Sequence, residues 1–348
     1  MSMVQGMMLH TRILGLLALP LALVGCDTLS TIQGGGPGAW PYPTLGHKVP
    51  LLIAHRGASG SLPEHTLEAY HRALNDGADC IEPDLVMTKD GVLVDRHDTF
   101  LSTTTDVAKH PEFADRKRKS PDPEFTNRED WWVADFTLAE LKTLRAIQSF
   151  KGRSKTFDGL YPVATFDEVL DLARSRHTVA GADVCVYPEA KSPAYHEAIG
   201  HTDMAEKILA SLAAHGMAGK GSPVFIQSFE PDFVKKIDAM TDLPVVMLVA
   251  DKAGLDAALA KPGAPFWQGL GPNLNMLFDK DGKSTGVVEA AHAKGIAVHP
   301  WTFRDDVPMG APIEDVMKTY LALGIDGFFT DFSFTGYKVR NDVLHAAE

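Results

Sequence analysis

Residues 224–249 read VFIQSFEPDFVKKIDAMTDLPVVMLV, and this stretch decides the fold. A short apolar run over 224–227 reads as a buried strand. A helix follows over 231–240, with proline at its first position where a missing N–H costs least. A second apolar run over 245–249 reads as the next strand. The same unit repeats toward the C-terminus. Helix 254–259 leads to a weak strand near 267–271, helix 285–293 to strand 296–299 and helix 313–323 to strand 327–330, with a last helix over 337–346. Toward the N-terminus, helix 165–176 leads to strand 183–188 and helix 201–215 to 224–227. Further back, strand 51–54 precedes helix 64–75, and strand 79–86 follows. Ser61-Leu62-Pro63-Glu64 is read there as a capping box with an early proline. Strands alternating with helices, eight in all, predict an α/β fold, a single closed (β/α)8 TIM-type barrel. An open doubly wound sheet is the alternative, but no Gly-x-Gly-x-x-Gly turn follows the first strand.

Two segments break the rhythm. The run 92–95 follows strand 79–86 after only Lys89-Asp90-Gly91, too short for a parallel crossover, so a β-hairpin is expected after the second strand. A two-residue turn at Asp90-Gly91 sets Asp84 opposite His97; one at Lys89-Asp90 sets Glu82 there. Residues 100–160 form an inserted excursion on the strand-end face, with a helix over 137–147 and the pair Trp131-Trp132.

The 348 residues carry a formal net charge of −12, with 45% apolar and 22% charged residues. These are ordinary globular values. The acid excess argues against a nucleic-acid partner. Three cysteines exclude a disulfide-built scaffold and a cysteine zinc site. Cys80 and Cys185 are expected to be buried free thiols.

The apolar run 13–24 follows Arg12 and ends in Gly25-Cys26. It is too short to span a bilayer and reads as an export signal. Gly25-Cys26 resembles a bacterial lipobox. Residues 1–25 are therefore expected to be a lipoprotein signal peptide, with Cys26 lipidated and 26–50 a Gly/Pro-rich tether. The catalytic barrel then spans 51–348. Membrane contact is expected only through the anchor, facing the periplasm, with Asp27 favouring the inner membrane.

In a barrel the active site lies at the C-terminal strand ends. Reading them off gives His55 and Arg56, Glu82 and Asp84, Glu189 and Lys191, Gln227, His299 and Trp301, and Asp331; His97 joins through the hairpin. Glu82, Asp84 and Glu189 suit one hard divalent cation, Ca²⁺ or Mg²⁺. His55 and His97 suit an acid–base pair. Arg56 and Lys191 suit a phosphate. Phe229, Trp301 and Phe303 suit a pocket wall, although aromatic residues near strand ends are more often simply core. Glu64 is read as the capping-box partner of Ser61 and also as a substrate-site candidate. His65 and the remaining histidines are read as structural.

The motifs HRGASG (55–60), PEHT (63–66), EPD (82–84), TKDG (88–91), HD (97–98), DFTL (135–138), YPEAK (187–191), QSF (227–229), WTF (301–303) and TD (330–331) resemble, in order and spacing, the glycerophosphodiester phosphodiesterase family, most closely its larger periplasmic or secreted bacterial branch. The resemblance implies hydrolysis of small-molecule glycerophosphodiesters, such as glycerophosphocholine or glycerophosphoethanolamine, to glycerol 3-phosphate and an alcohol. It also implies His55 and His97 as general base and acid, a cation on Glu82, Asp84 and Glu189, and phosphate contacts from Arg56 and Lys191. A phospholipase D-like or phosphoinositide-type phospholipase on the same barrel is an alternative that needs an apolar rim, for which Trp131-Trp132 is the one hint. A non-catalytic surface-binding lipoprotein is another.

Overall fold

The computed structural model describes residues 49–260 and 266–346. The expected leader, Cys26, and all but the last two residues of the tether lie outside them. No described helix is long and apolar enough to cross a membrane.

The barrel strands begin with β1 (Leu51–His55), β2 (Cys80–Glu82) and β3 (Asp84–Met87), and β4 (Leu93–Asp95) turns back along β3. Two short strands in the excursion, β5 (Arg118–Lys119) and β6 (Glu129–Asp130), pair with each other. The barrel resumes with β7 (Cys185–Val186), β8 (Glu189–Ala190), β9 (Ile226–Ser228) and β10 (Val245–Val249), then β11 (Gly269–Pro272), β12 (Ala297–Val298) and β13 (Gly327–Thr330). Proline splits two of the eight expected strands. Pro83 separates β2 from β3, and Pro188 lies between β7 and β8. Each proline lacks a donor, yet each still accepts: Glu189 N–H donates to the Pro83 carbonyl and Gln227 N–H to that of Pro188. Pairing therefore falls into a four-stranded sheet, β13-β1-β2-β7, and a seven-stranded one, β12-β11-β10-β9-β8-β3-β4. Between β12 and β13 the ladder is not continuous, although Asp326 N–H reaches the Val298 carbonyl and Phe329 N–H that of Pro300.

The hairpin forms, but in neither expected register. Leu85 faces Asp95 and Met87 faces Leu93. The loop is three residues, centred on Asp90, with Gly91 at φ 74°. Glycine takes that left-handed conformation without steric penalty, which lets the longer turn close. Carried back, this register sets Pro83 opposite His97 rather than Glu82 or Asp84.

An apolar layer between strands and helices forms the main core, including Leu52, Leu85, Ile208, Val234 and Leu270. A smaller cluster fills the barrel interior: Ile53, Tyr187, Phe225, Val246, Phe329 and both Cys80 and Cys185. The two cysteines are disulfide-bonded, not free. They occupy paired positions on adjacent parallel strands, with Cα atoms 4.2 Å apart, which brings inward-pointing thiols together. The bond joins positions 105 residues apart, so a Cys80→Ala/Cys185→Ala variant should lose about 4 kcal/mol of stability in chemical denaturation. A loss below about 1 kcal/mol would show that the bond does not constrain the unfolded chain.

The excursion is built mainly of short 3-10 turns, and the expected helix 137–147 shrinks to Leu138–Leu141. Its Val107, Trp131, Phe136 and Leu144 share a second apolar cluster with Val86 of β3 and Val94 of β4. Trp131 and Trp132 are buried and donate to the carbonyls of Phe113 and Arg118, so they form no apolar rim.

Candidate active site

The strand ends open into a cavity of about 440 Å³ whose walls include His55, Arg56, Glu82, His97, Glu189 and Lys191. Strand register brings the acidic residues together. Glu82 lies beside His55, Asp84 beside Glu189, and Glu189 beside Gln227. Glu82, Asp84 and Glu189 are buried, and each offers a carboxylate oxygen within 4.8 Å of the others.

Their protonation follows from crowding. Burial, then the charges of Asp84 and Glu189, push Glu82 well above the usual carboxylate range. Burial, helped by Asp84 and opposed by Lys191, lifts Glu189 to about 8. Burial would lift Asp84 too, but Lys191 and His65 outweigh it and hold Asp84 well below the usual range. Oδ1 of Asp84 and Oε1 of Gln227 are buried with no hydrogen-bond partner. Uncompensated buried oxygens are costly. Three crowded carboxylates and two bare oxygens fit a hard cation that takes only oxygen ligands.

His55 Nδ1 lies 2.7 Å from Asp331 Oδ1. Asp331 also accepts from Arg153 Nη2 at 2.6 Å and Arg304 Nε at 2.9 Å. Against its burial, the His55 bond and these two arginines hold Asp331 ionised. His55 therefore carries its proton on Nδ1, and its Nε2 lone pair takes a bond from Arg56 Nε at 3.3 Å. Burial, then Arg56, lowers His55 to about 4. His97 is similar: Nδ1 is 2.7 Å from Asp98 Oδ1, and burial, then Arg56 and Lys191, lowers it to about 4.

Arg56 sits at φ 59° in the left-handed region, where its N–H reaches Glu82 Oε2 at 2.8 Å. Its guanidinium bonds Glu64 at 3.1 Å. Lys191 Nζ bonds Glu189 at 2.9 Å. Gln227 Nε2 donates to Glu82 at 3.2 Å. Phe229 and Trp301 meet edge to face, centroids 5.5 Å apart, on the cavity wall.

Several expectations are corrected. Ser61 and Glu64 form no capping box. The first helix is Leu67–Asn75, and Thr66 caps it, accepting from Ala69 N–H at 3.2 Å. Glu64 instead turns inward to hold Arg56 and to accept from Ser149. Phe303 is core, packed between Tyr320 and Phe328. His299 lies inside the barrel, 2.8 Å from the Tyr187 hydroxyl.

Three groups escaped the sequence reading. His65, read as structural, contacts Asp84 at 2.9 Å. Arg304 braces Asp331. Arg153, from the excursion, forks onto Asp306 and also reaches the Ser59 carbonyl and Asp331. No local pattern marks the arginines, whose partners lie far away in sequence. Removing one member of a buried ion pair is costly, so Arg153→Ala should lose about 3 kcal/mol in urea unfolding. The exposed Lys151→Ala should change little; equal effects would contradict the bracing role.

The sequence matches the model of the glycerophosphoryl diester phosphodiesterase family over residues 55–335. It is 36% identical over 322 residues to a glycerophosphodiester phosphodiesterase of Arabidopsis thaliana, covering 82% of this chain and 84% of that protein. To one of Haemophilus influenzae it is 33% identical over 377 residues, covering 95% and 98%. A solved glycerophosphodiester phosphodiesterase from Agrobacterium tumefaciens superposes with TM-score 0.57 at 22% identity, covering 83% of this chain and 99% of that one. An Oleispira antarctica phosphodiesterase, solved with the product sn-glycerol-3-phosphate, gives 0.60 at 20%, covering 84% and 97%. The structural likenesses bear on the fold.

Proposed function

The chain belongs to the glycerophosphoryl diester phosphodiesterase family, and on that premise we propose that it hydrolyses glycerophosphodiesters such as glycerophosphocholine and glycerophosphoethanolamine to glycerol 3-phosphate and the free alcohol. The observation that carries this is the convergence of two histidines, two basic side chains and three carboxylates on one cavity.

Glu82, Asp84 and Glu189 would hold one divalent cation, Ca²⁺ or Mg²⁺. When bound, the cation supplies charge neutralisation at the phosphoryl oxygens. Arg56 and Lys191 bind the same phosphate, so an acidic protein presents a locally positive site. His55 is oriented for the base role: Asp331 fixes its proton on Nδ1, and Nε2, which accepts from Arg56 in the free protein, takes a proton from the attacking hydroxyl, whether of water or of the substrate's glycerol, once Arg56 turns to the phosphate. His97 protonates the departing alcohol oxygen. Burial, then Arg56 and Lys191, keeps it neutral in the free protein. A phosphate dianion or diester anion on those two cations offsets that effect and raises His97 toward the imidazolium form.

The phospholipase-type reading loses its hint, since Trp131 and Trp132 are buried. We also propose export and lipid anchoring through Cys26. The signal-like run 13–24 supports it, as does a disulfide that suits an oxidising compartment.

The test is an assay of purified protein on glycerophosphocholine coupled to glycerol 3-phosphate detection. Cation-dependent release of glycerol 3-phosphate is expected. Binding without turnover would overturn the reading in favour of a non-catalytic lipoprotein.

A further inference from the structure

We propose that His65 is a positioning residue that sets which oxygen of Asp84 faces the cation. This rests on the reading of Glu82, Asp84 and Glu189 as the cation site. His65 is almost fully buried and stands at φ 57°, a backbone conformation uncommon for residues other than glycine. Its N–H is bonded to the Arg56 carbonyl at 3.1 Å, so the left-handed step belongs to the same loop that aims Arg56. That step turns the imidazole under the barrel mouth. Nε2 lies 2.9 Å from Asp84 Oδ2. Nδ1 lies 2.8 Å from the Tyr70 hydroxyl, which is itself 3.2 Å from the Glu82 carbonyl.

An ionised carboxylate only accepts, so Nε2 must donate to Oδ2 whichever way the tyrosine proton points. Oδ2 is thereby engaged, with Arg56 Nε also 3.7 Å away. Oδ1 is the buried oxygen with no partner, and Asp84 belongs to the three-carboxylate cluster. Without His65 the carboxylate can rotate about its last bond and offer either oxygen, or neither, at a workable angle. Tyr70 contacts the ring from behind, and its hydroxyl also lies against the carbonyl of Glu82, another member of the cluster; its single proton serves one of the two at a time. Hydrogen-bond partners that orient metal-binding side chains commonly contribute ~10- to 100-fold in affinity.

The experiment is isothermal titration of the demetallated protein with Ca²⁺ and with Mg²⁺, without substrate, on parent, His65→Ala, His65→Gln and Tyr70→Phe. Near-ultraviolet circular dichroism of each variant checks the fold. His65→Ala is expected to bind at least ~10-fold more weakly. His65→Gln, which keeps a donor, should recover part of the loss, and Tyr70→Phe should fall between parent and His65→Ala. Should His65→Ala not fold, His65→Gln and Tyr70→Phe decide alone, and parent-like affinity in both overturns the role. Affinity within twofold of the parent in folded His65→Ala likewise overturns it while leaving the cation site standing. A parent that binds neither cation overturns both.

Discussion

Replacing His97 with alanine is expected to slow hydrolysis of glycerophosphocholine by roughly 10²- to 10⁴-fold, the usual worth of a general acid. Although its ring is hemmed in by the site, one edge leaves the side chain about one-third exposed, and it bonds Asp98, so the melting temperature should barely move. The chemistry can be separated from binding by changing the leaving group. Glycerol 3-phosphate esterified to 4-nitrophenol expels a stable anion that needs no proton. His97→Ala should therefore retain most of its rate on that ester while losing it on glycerophosphocholine. Equal losses on both would mean that His97 does something other than protonate the alcohol. His55→Ala should lose both, because the attacking hydroxyl needs its base in either case.

Chelation with EDTA is expected to abolish turnover, and Ca²⁺ or Mg²⁺ to restore it. The pH dependence of cation affinity tests the site's electrostatics. In the cation-free protein Glu189 keeps its proton up to about 8, and Glu82 is also raised. A cation must displace such protons, so affinity should strengthen as pH rises toward 8. The slope is about tenfold per pH unit for each proton displaced. Titration calorimetry at pH 7 in buffers of different ionisation heat would count the protons released. Full activity after exhaustive chelation would refute a required cation, and affinity unchanged between pH 6 and 8 would refute the proposed protonation.

The site was legible where strand periodicity governed it. Residues at strand ends must converge in a barrel, so the sequence alone brings Glu82, Asp84, Glu189 and Lys191 together. His97 was reached through the shortness of Lys89-Asp90-Gly91, though that same triplet concealed its register. Gly91 permits a three-residue loop as readily as a two-residue turn. Legibility failed where two local rules competed. Ser61 to Glu64 has the spacing of a capping box, yet Thr66 lies nearer the apolar face of the helix and takes the cap, freeing Glu64 and His65 to turn inward. The disulfide was missed because strand neighbours, not sequence neighbours, decide which thiols meet. Asp331 appeared as a strand-end acid, but its role depends on Arg153 and Arg304, which arrive from different segments.

Arg153 has a consequence for how this enzyme can be divided. A barrel stripped of 100–160 would keep every β/α unit and all three carboxylates of the buried acidic cluster. It would also lose the bidentate clasp on Asp306, the bonds from Gln148 and Arg153 to the 59–62 loop, and one of the two arginines on Asp331. The excursion is thus an external splint for the loop that follows β1 rather than a detachable module. Chimeras that exchange this segment between relatives should work only when the Arg153–Asp331 partnership travels with it.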